Sequence, residues 1–274
     1  MIEEKIIVQI INQVSATCES LGFDFFVIGA VAQQPWYSEG NTPFRGTNDV
    51  DFAVAVPGDE AYNRLRDKLN EIPGLTKKET NQFALITSEG YTIDLLPFKS
   101  LTNRETSEWT PKWSGLVNQF VGLTEVSRHA LVERTLGSTK FQAASIPAIV
   151  LLKLIAFDDR PEMRSHDISD IKRIMDHFPD LDADLVWDNY EFVDDDRLSH
   201  DEIAWTVMGR ELARISISNV ELHQRMRVIL TDSLEAESDL LRQFILADPD
   251  RNFEVQHHRL KLLNSGFNSY TDKD

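Results

Sequence analysis

The sequence predicts an α/β (α+β) fold: a small mixed sheet with flanking helices, followed by a mostly helical domain. Three observations carry that expectation. Short runs rich in Val, Ile and Phe alternate with amphipathic segments as far as Phe98. The stretch "KSLTNRETSEWTPKWSG" then loses all periodicity, and from Ile146 onward apolar residues recur at helical spacing. The chain accordingly divides into residues 1–100, a sheet domain; 101–145, a connection with room for short strands; and 146–274, a helical domain.

From Ile2 to Ser20 the apolar spacing is that of an amphipathic helix, with Cys18 a small buried residue on it. "FDFFVIG" reads as a strand, and its Gly29 is the exit into a short helix, "AVAQQPW". "DVDFAVAV" is a second strand closed by "PGD", after which "DEAYNRLRDKLNEI" is a helix started by Asp59. "FALITSE" and "YTIDLLPF" are two further strands, and "EG" makes the tight turn between them. "ALVERTLGSTKFQAA" holds two short strands about a turn at Gly137 and Ser138. Beyond Ile146 the segments "IPAIVLLKLIAF", "HDISDIKRIMDHF", "SHDEIAWTVMGRELARIS", "NVELHQRMRVILTDSL" and "EAESDLLRQFILAD" all read as helix. No internal repeat or low-complexity tract interrupts them.

Forty-five acids against 28 bases give a net charge of −17, which disfavours extended non-specific contact with a polyanion. A single cysteine excludes an internal disulfide and a cysteine-clustered zinc site. The acidic, amphipathic opening "MIEEKIIVQIINQ" is not a signal region, and no apolar run reaches the length of about 18 residues that spans a bilayer. The expectation is a soluble, cytoplasmic protein with no membrane partner.

Chemistry enters with Asp49 and Asp51. Side chains alternate along a strand, so both acids of "TNDVDFAV" project from one face while Val50 and Phe52 take the other. Adjacent carboxylates repel each other unless a cation neutralises them, and hard oxygen ligands suit magnesium. A third acid, Asp94 in "YTIDLLPF", sits in an otherwise apolar strand that a sheet can set beside "DVDFAV". Three converging carboxylates are what two-metal phosphoryl transfer requires, which makes Asp49, Asp51 and Asp94 candidate Mg2+ ligands and Asp94 the candidate acceptor of a hydroxyl proton.

"VIGAVA" at a strand end, then "RGTNDVDFAV", then the distant "YTIDLLPF", together resemble the nucleotidyltransferase superfamily that includes DNA polymerase β. The resemblance is closest to its small prokaryotic members, among them the AbiEii-type toxins. It implies that Gly29 and Ala30 stand where the family has a Gly-Gly or Gly-Ser pair approaching phosphate through the backbone; Ala30 departs from that pair. Arg45 and Thr47 match "R-x-T-x-D-h-D", the arginine flanking the site and the threonine supporting the loop. "LLKLIAFDDRPEMRSHDISDIKRIM" resembles the helical segment of the toxin-like members, where Lys153 matches the lysine aimed at nucleotide phosphates and Arg160, Asp167 and Asp170 complete the pattern. On spacing alone, a helix cap is the commoner role for an Asp167 so placed, and Lys153 equally suits a side chain reaching solvent.

The activity so implied is Mg2+-dependent transfer of a nucleoside monophosphate from a nucleoside triphosphate (NTP) to an acceptor hydroxyl, the helical domain contributing to the nucleotide and acceptor sites. The toxin-like resemblance implies RNA, a tRNA end, as acceptor, a small molecule such as an aminoglycoside or a protein hydroxyl being the open alternatives, and an antitoxin protein is a possible partner. The competing reading is a catalytically degenerate nucleotide-binding or interaction module. Trp109 and Trp113 are read as pinning a loop, and Lys77, Lys78, Lys99 and Arg104 as solubilising charge. The seven histidines show no metal spacing, and no phosphate-binding loop of the ATPase type occurs.

Overall fold

A computed structural model describes residues 2–40, 46–99, 121–193 and 197–271. Trp109, Trp113 and Arg104 lie outside the described residues. The chain forms two compact units, Met1–Ser145 and Ile146–Asp274.

The first unit is built on one seven-stranded mixed sheet. In chain order its elements are α1 (Glu4–Leu21), β1 (Phe25–Ile28), α2 (Gly29–Glu39), β2 (Asp49–Val56), α3 (Asp59–Asn70), β3 (Leu75–Lys77), β4 (Ala84–Thr87), β5 (Thr92–Lys99), α4 (Leu123–His129), β6 (Leu131–Leu136) and β7 (Thr139–Ala144). The strand order is β3-β4-β5-β2-β1-β7-β6. β2 pairs parallel with β5 and antiparallel with β1, while β7 lies parallel to β1 and antiparallel to β6.

The central strand β2 is apolar on both sides beyond its first residues, and Val50 and Phe52 to Val54 are fully buried. That is the pattern of a strand covered on both faces. Pro97 lacks an N–H, and it falls beyond Asp94, where β4 has stopped pairing with β5. Gly90 takes φ +89 in the turn between β4 and β5, as the sequence expects of "EG".

Three local readings differ. The residue before α3 is Gly58, which makes no side-chain cap, so Asp59 stands inside the first turn, where its charge meets the helix dipole. β3 and α4 were not foreseen, because three and seven residues carry too little periodicity to register. The pair β6–β7 turns at Gly137 (φ +56) and joins the same sheet beside β1, so the sheet draws on residues well past Phe98.

The second unit is helical: α5 (Ile146–Asp159), α6 (Ser165–Leu181), α7 (Ala183–Asp188), a single turn at Tyr190–Phe192, α8 (His200–Ser216), α9 (Val220–Asp232), α10 (Asp239–Ala247) and α11 (Phe253–Ser269). α8 is its core, with every residue from Ile203 to Ala213 buried. It starts with a capping box in which Ser199 Oγ accepts from Glu202 N–H while the Glu202 carboxylate accepts from Ser199 N–H at 2.8 Å. α8 and α11 cross through two glycines: a Cβ on Gly209 would strike the Leu263 carbonyl, and one on Gly266 would strike that of Thr206. Among the described residues, no helix is long and apolar enough to cross a membrane.

Candidate active site

The parallel pairing of β2 with β5 sets Asp51 directly beside Asp94 and Asp49 beside Thr92. Residues in register point to one side of a sheet, as do residues two apart, and neighbouring strands lie about 4.8 Å from each other. Asp49, Asp51 and Asp94 therefore leave one face, while Val50, Phe52, Ile93 and Leu95 are buried on the other. Asp49 is exposed; Asp51 and Asp94 are half-buried.

Antiparallel pairing sets Ile28, the last residue of β1, opposite Asp51, so the chain enters α2 at the carboxylate. Gly29 makes that entry with φ +68. A Cβ at Gly29 would overlap Asp51 Oδ2 and come within 3.0 Å of its Cγ. Glycine is thus needed twice, for the left-handed backbone and for the space. No side chain caps α2 at Ile28. Its first-turn N–H groups form the positive end of a helix, a place suited to phosphate oxygen. Ala30 keeps its backbone N–H and differs from serine only in lacking a hydroxyl.

Thr47 holds the mouth of β2. Its hydroxyl accepts from Asp49 N–H at 3.1 Å and donates to the Asp49 carbonyl at 3.2 Å. The Thr47 carbonyl in turn accepts from Ile2 N–H at 3.0 Å, tying this mouth to the start of the chain. Arg45 lies outside the described residues. Two neighbours of Asp94 were missed in the sequence. The Asn81 side-chain amide donates to Asp94 Oδ1 at 3.4 Å. The buried Tyr62 hydroxyl donates to the Leu95 carbonyl at 2.8 Å. Burial pushes the Tyr62 phenol above its ordinary range; Arg66 opposes the rise and the Asp94 charge adds to it, so the phenol stays protonated. Nothing local marked either residue, since an asparagine in "KKETNQF" is an ordinary turn residue and a tyrosine on an amphipathic helix is ordinary core.

Among the described residues, no three His, Cys, Asp or Glu side chains are grouped so as to hold a metal ion. The sheet brings Asp51 and Asp94 together and leaves Asp49 at the open end.

In the second unit, α5 and α6 bring together Lys153, Asp167 and Asp170, three of the four residues that the resemblance singles out there; Arg160 follows the end of α5. Lys153 Nζ donates to Asp167 Oδ1 at 2.8 Å and to Asp170 Oδ2 at 2.9 Å, all three side chains being largely buried. Asp167 and Asp170, three apart on α6, share the face that meets this ammonium. Asp167 lies in the first turn of α6 and does not cap it; the residue before the helix is Arg164. Burial alone would lower the Lys153 pKa, but the two carboxylates outweigh it and the net shift is upward. Lys153 is therefore a fixed cation.

Residues 36–254 match the family model described as nucleotidyl transferase AbiEii toxin, type IV TA system. The chain belongs to the AbiEii nucleotidyltransferase family. It is, accordingly, a nucleotidyltransferase of toxin–antitoxin type. The span shared with AbiEii proteins contains Thr47, Asp49, Asp51, Asp94, Lys153, Asp167 and Asp170; Gly29 and Ala30 precede it. The fold is also similar to the solution structure of the antibiotic-resistance factor ANT(2'')-Ia, with 11% identity, a TM-score of 0.41, and coverage of 83% of this chain and 96% of that one. A search of curated proteins gives no match.

Proposed function

We propose that this AbiEii-family chain transfers a nucleoside monophosphate from an NTP to the hydroxyl of an acceptor, with release of pyrophosphate. The observation that supports the reading most is the register of Asp51 with Asp94, beside Gly29 at the start of α2. Asp49, Asp51 and Asp94 are the residues proposed to hold Mg2+, which when bound supplies the positive charge that lets a triphosphate approach three carboxylates. The acceptor oxygen forms a bond to the α-phosphorus as the bond from that phosphorus to its leaving oxygen breaks, and the electron pair departs with pyrophosphate. Asp94 takes the hydroxyl's proton.

The N–H groups of Gly29 and Ala30 donate to a phosphate oxygen, and Thr47 fixes the backbone that carries Asp49. Arg45 and Lys153 are the cations proposed for phosphate charge, with Asp167 and Asp170 keeping Lys153 oriented and protonated.

The proposed acceptor is an RNA end, a tRNA terminus in the first instance, and an antitoxin is the proposed protein partner. A net charge of −17 favours a short single-stranded end over a long duplex footprint. The test incubates the full chain and Mg2+ with each labelled NTP and, separately, with total tRNA, an aminoglycoside or a protein extract. Label entering tRNA, and lost in Asp51→Ala, is the expected result. Label entering only the small molecule would reassign the acceptor, while nucleotide binding without pyrophosphate release in any mixture would make the chain a nucleotide-binding module.

A further inference from the structure

We propose that Asn81 is the positioning residue for Asp94, an inference that rests on the catalytic reading of that carboxylate. Asn81 lies between β3 and β4, and every polar group it carries is engaged. Its backbone N–H donates to the Lys78 carbonyl at 3.3 Å, and its carbonyl accepts from Ala84 N–H at 3.0 Å. Its side-chain Oδ1 accepts from Phe83 N–H at 2.9 Å.

That last bond decides the orientation of the amide. A side-chain amide has one accepting end and one donating end, and a rotation that exchanges them is settled only by what each end meets. A backbone N–H can only donate, so the end facing Phe83 must be oxygen. The end facing Asp94 must then be the NH2 group, and it stands 3.4 Å from Asp94 Oδ1.

The loop cannot drift away from Asp94, because β4 and β5 are joined at the same level. Ala84 is the register partner of Asp94, and the Phe83 carbonyl accepts from Leu95 N–H at 2.8 Å. Tyr62 braces the same point from α3 through its bond to the Leu95 carbonyl. Asn81 thus holds a carboxylate oxygen with a neutral donor, which restrains the rotation of the group without adding charge beside a triphosphate. An aspartate at this position would keep the bond to Phe83 and turn the contact with Asp94 into repulsion; a lysine would neutralise Asp94.

The test uses the full chain with Asn81→Asp, Asn81→Ala, Asp94→Asn and Asp94→Ala. The first readout is the 1H–15N signal of the Asn81 side-chain amide, assigned by its loss in Asn81→Asp. A bond to a carboxylate moves one of its protons downfield, and Asp94→Ala abolishes that displacement. The second readout is pyrophosphate release as a function of NTP. Asn81→Asp, which preserves the turn, lowers kcat by about tenfold or more and leaves KM for NTP within about threefold. Asn81→Ala loses both bonds and lowers the melting temperature, whereas Asn81→Asp keeps the bond to Phe83 and loses only what repulsion from Asp94 costs, a loss that adding Asp94→Asn recovers.

If Asp94→Asn abolishes release while Asn81→Asp keeps kcat within about twofold, the positioning role is overturned and the catalytic reading stands. If Asp94→Asn itself keeps full turnover, the catalytic reading of Asp94 fails and takes the positioning role with it. If no acceptor yields turnover, the amide signal decides. An Asn81 resonance unmoved by Asp94→Ala in a folded spectrum overturns the proposal.

Discussion

Asp51 lies over the Cα of Gly29, in the space that a side chain at residue 29 would need. The strand that carries the acid and the turn that opens α2 therefore specify each other. Gly29→Ala should suffer twice, from about 1–2 kcal/mol of left-handed strain and about 1–3 kcal/mol of overlap with the carboxylate. Gly22 provides the internal control, since it has φ +71 and nothing within 4 Å of an added Cβ. In urea unfolding, Gly22→Ala should lose only the first of these contributions and Gly29→Ala both. Equal losses in the two variants would mean that Asp51 moves aside without cost.

Asp51 and Asp94 are like charges side by side on paired strands, an arrangement that costs stability. Asp51→Asn and Asp94→Asn should each melt no lower than the parent chain while reducing pyrophosphate release by about 100-fold or more. A fall in melting temperature that parallels the loss of turnover would assign these acids to the architecture of the sheet.

How far the sequence could be read divides along the same physical line. β2 was legible to the residue, because eight residues of apolar texture bounded by "PGD" leave one reading, and β5 followed from the same logic. That Asp49 and Asp51 share a face was legible too, since period-two alternation fixes it; the register that sets Asp94 beside Asp51 was read only as an arrangement a sheet could make. What was not legible depends on contacts between segments distant in sequence. The Asn81 amide meets Asp94 only because a loop folds back along β5, and Asp51 crowds Gly29 only through the register of β1 with β2. The attachment of β6 and β7 to the same sheet is another such case. Their turn is local and visible, but their partner β1 lies more than a hundred residues earlier.

The crossing of α8 and α11 gives a prediction for the second unit. Gly209 and Gly266 each admit the other helix's backbone, and a methyl group at either would meet a carbonyl that cannot swing aside. Gly209→Ala and Gly266→Ala should each cost about 1–3 kcal/mol or more. Both act by prising apart one interface, so the double variant should lose less than the sum of the single losses. Strict additivity in urea unfolding would show that the helices yield locally instead of separating.

Lys153 ties pH to stability through a definite sign. Burial disfavours its charge, Asp167 and Asp170 favour it more strongly, and the folded pKa is raised. The folded chain therefore holds this proton to higher pH than the unfolded chain, whose lysine titrates at about 10.4. The stabilisation is fully present below that value and is lost as pH rises through the folded pKa. Lys153→Met removes the cation and leaves two largely buried carboxylates without it, so at neutral pH it should cost about 3–5 kcal/mol. Above about pH 10.4 the gap between parent and variant should narrow, because the parent is giving up the same interaction. Adding Asp167→Asn and Asp170→Asn to Lys153→Met should recover much of the neutral-pH loss, since neither buried carboxylate is then left unmatched and Arg164, the other partner of Asp167, is exposed to solvent. A gap that stays constant from neutral pH to beyond the lysine range would show that Lys153 contributes through its packed methylene stem and not through its charge.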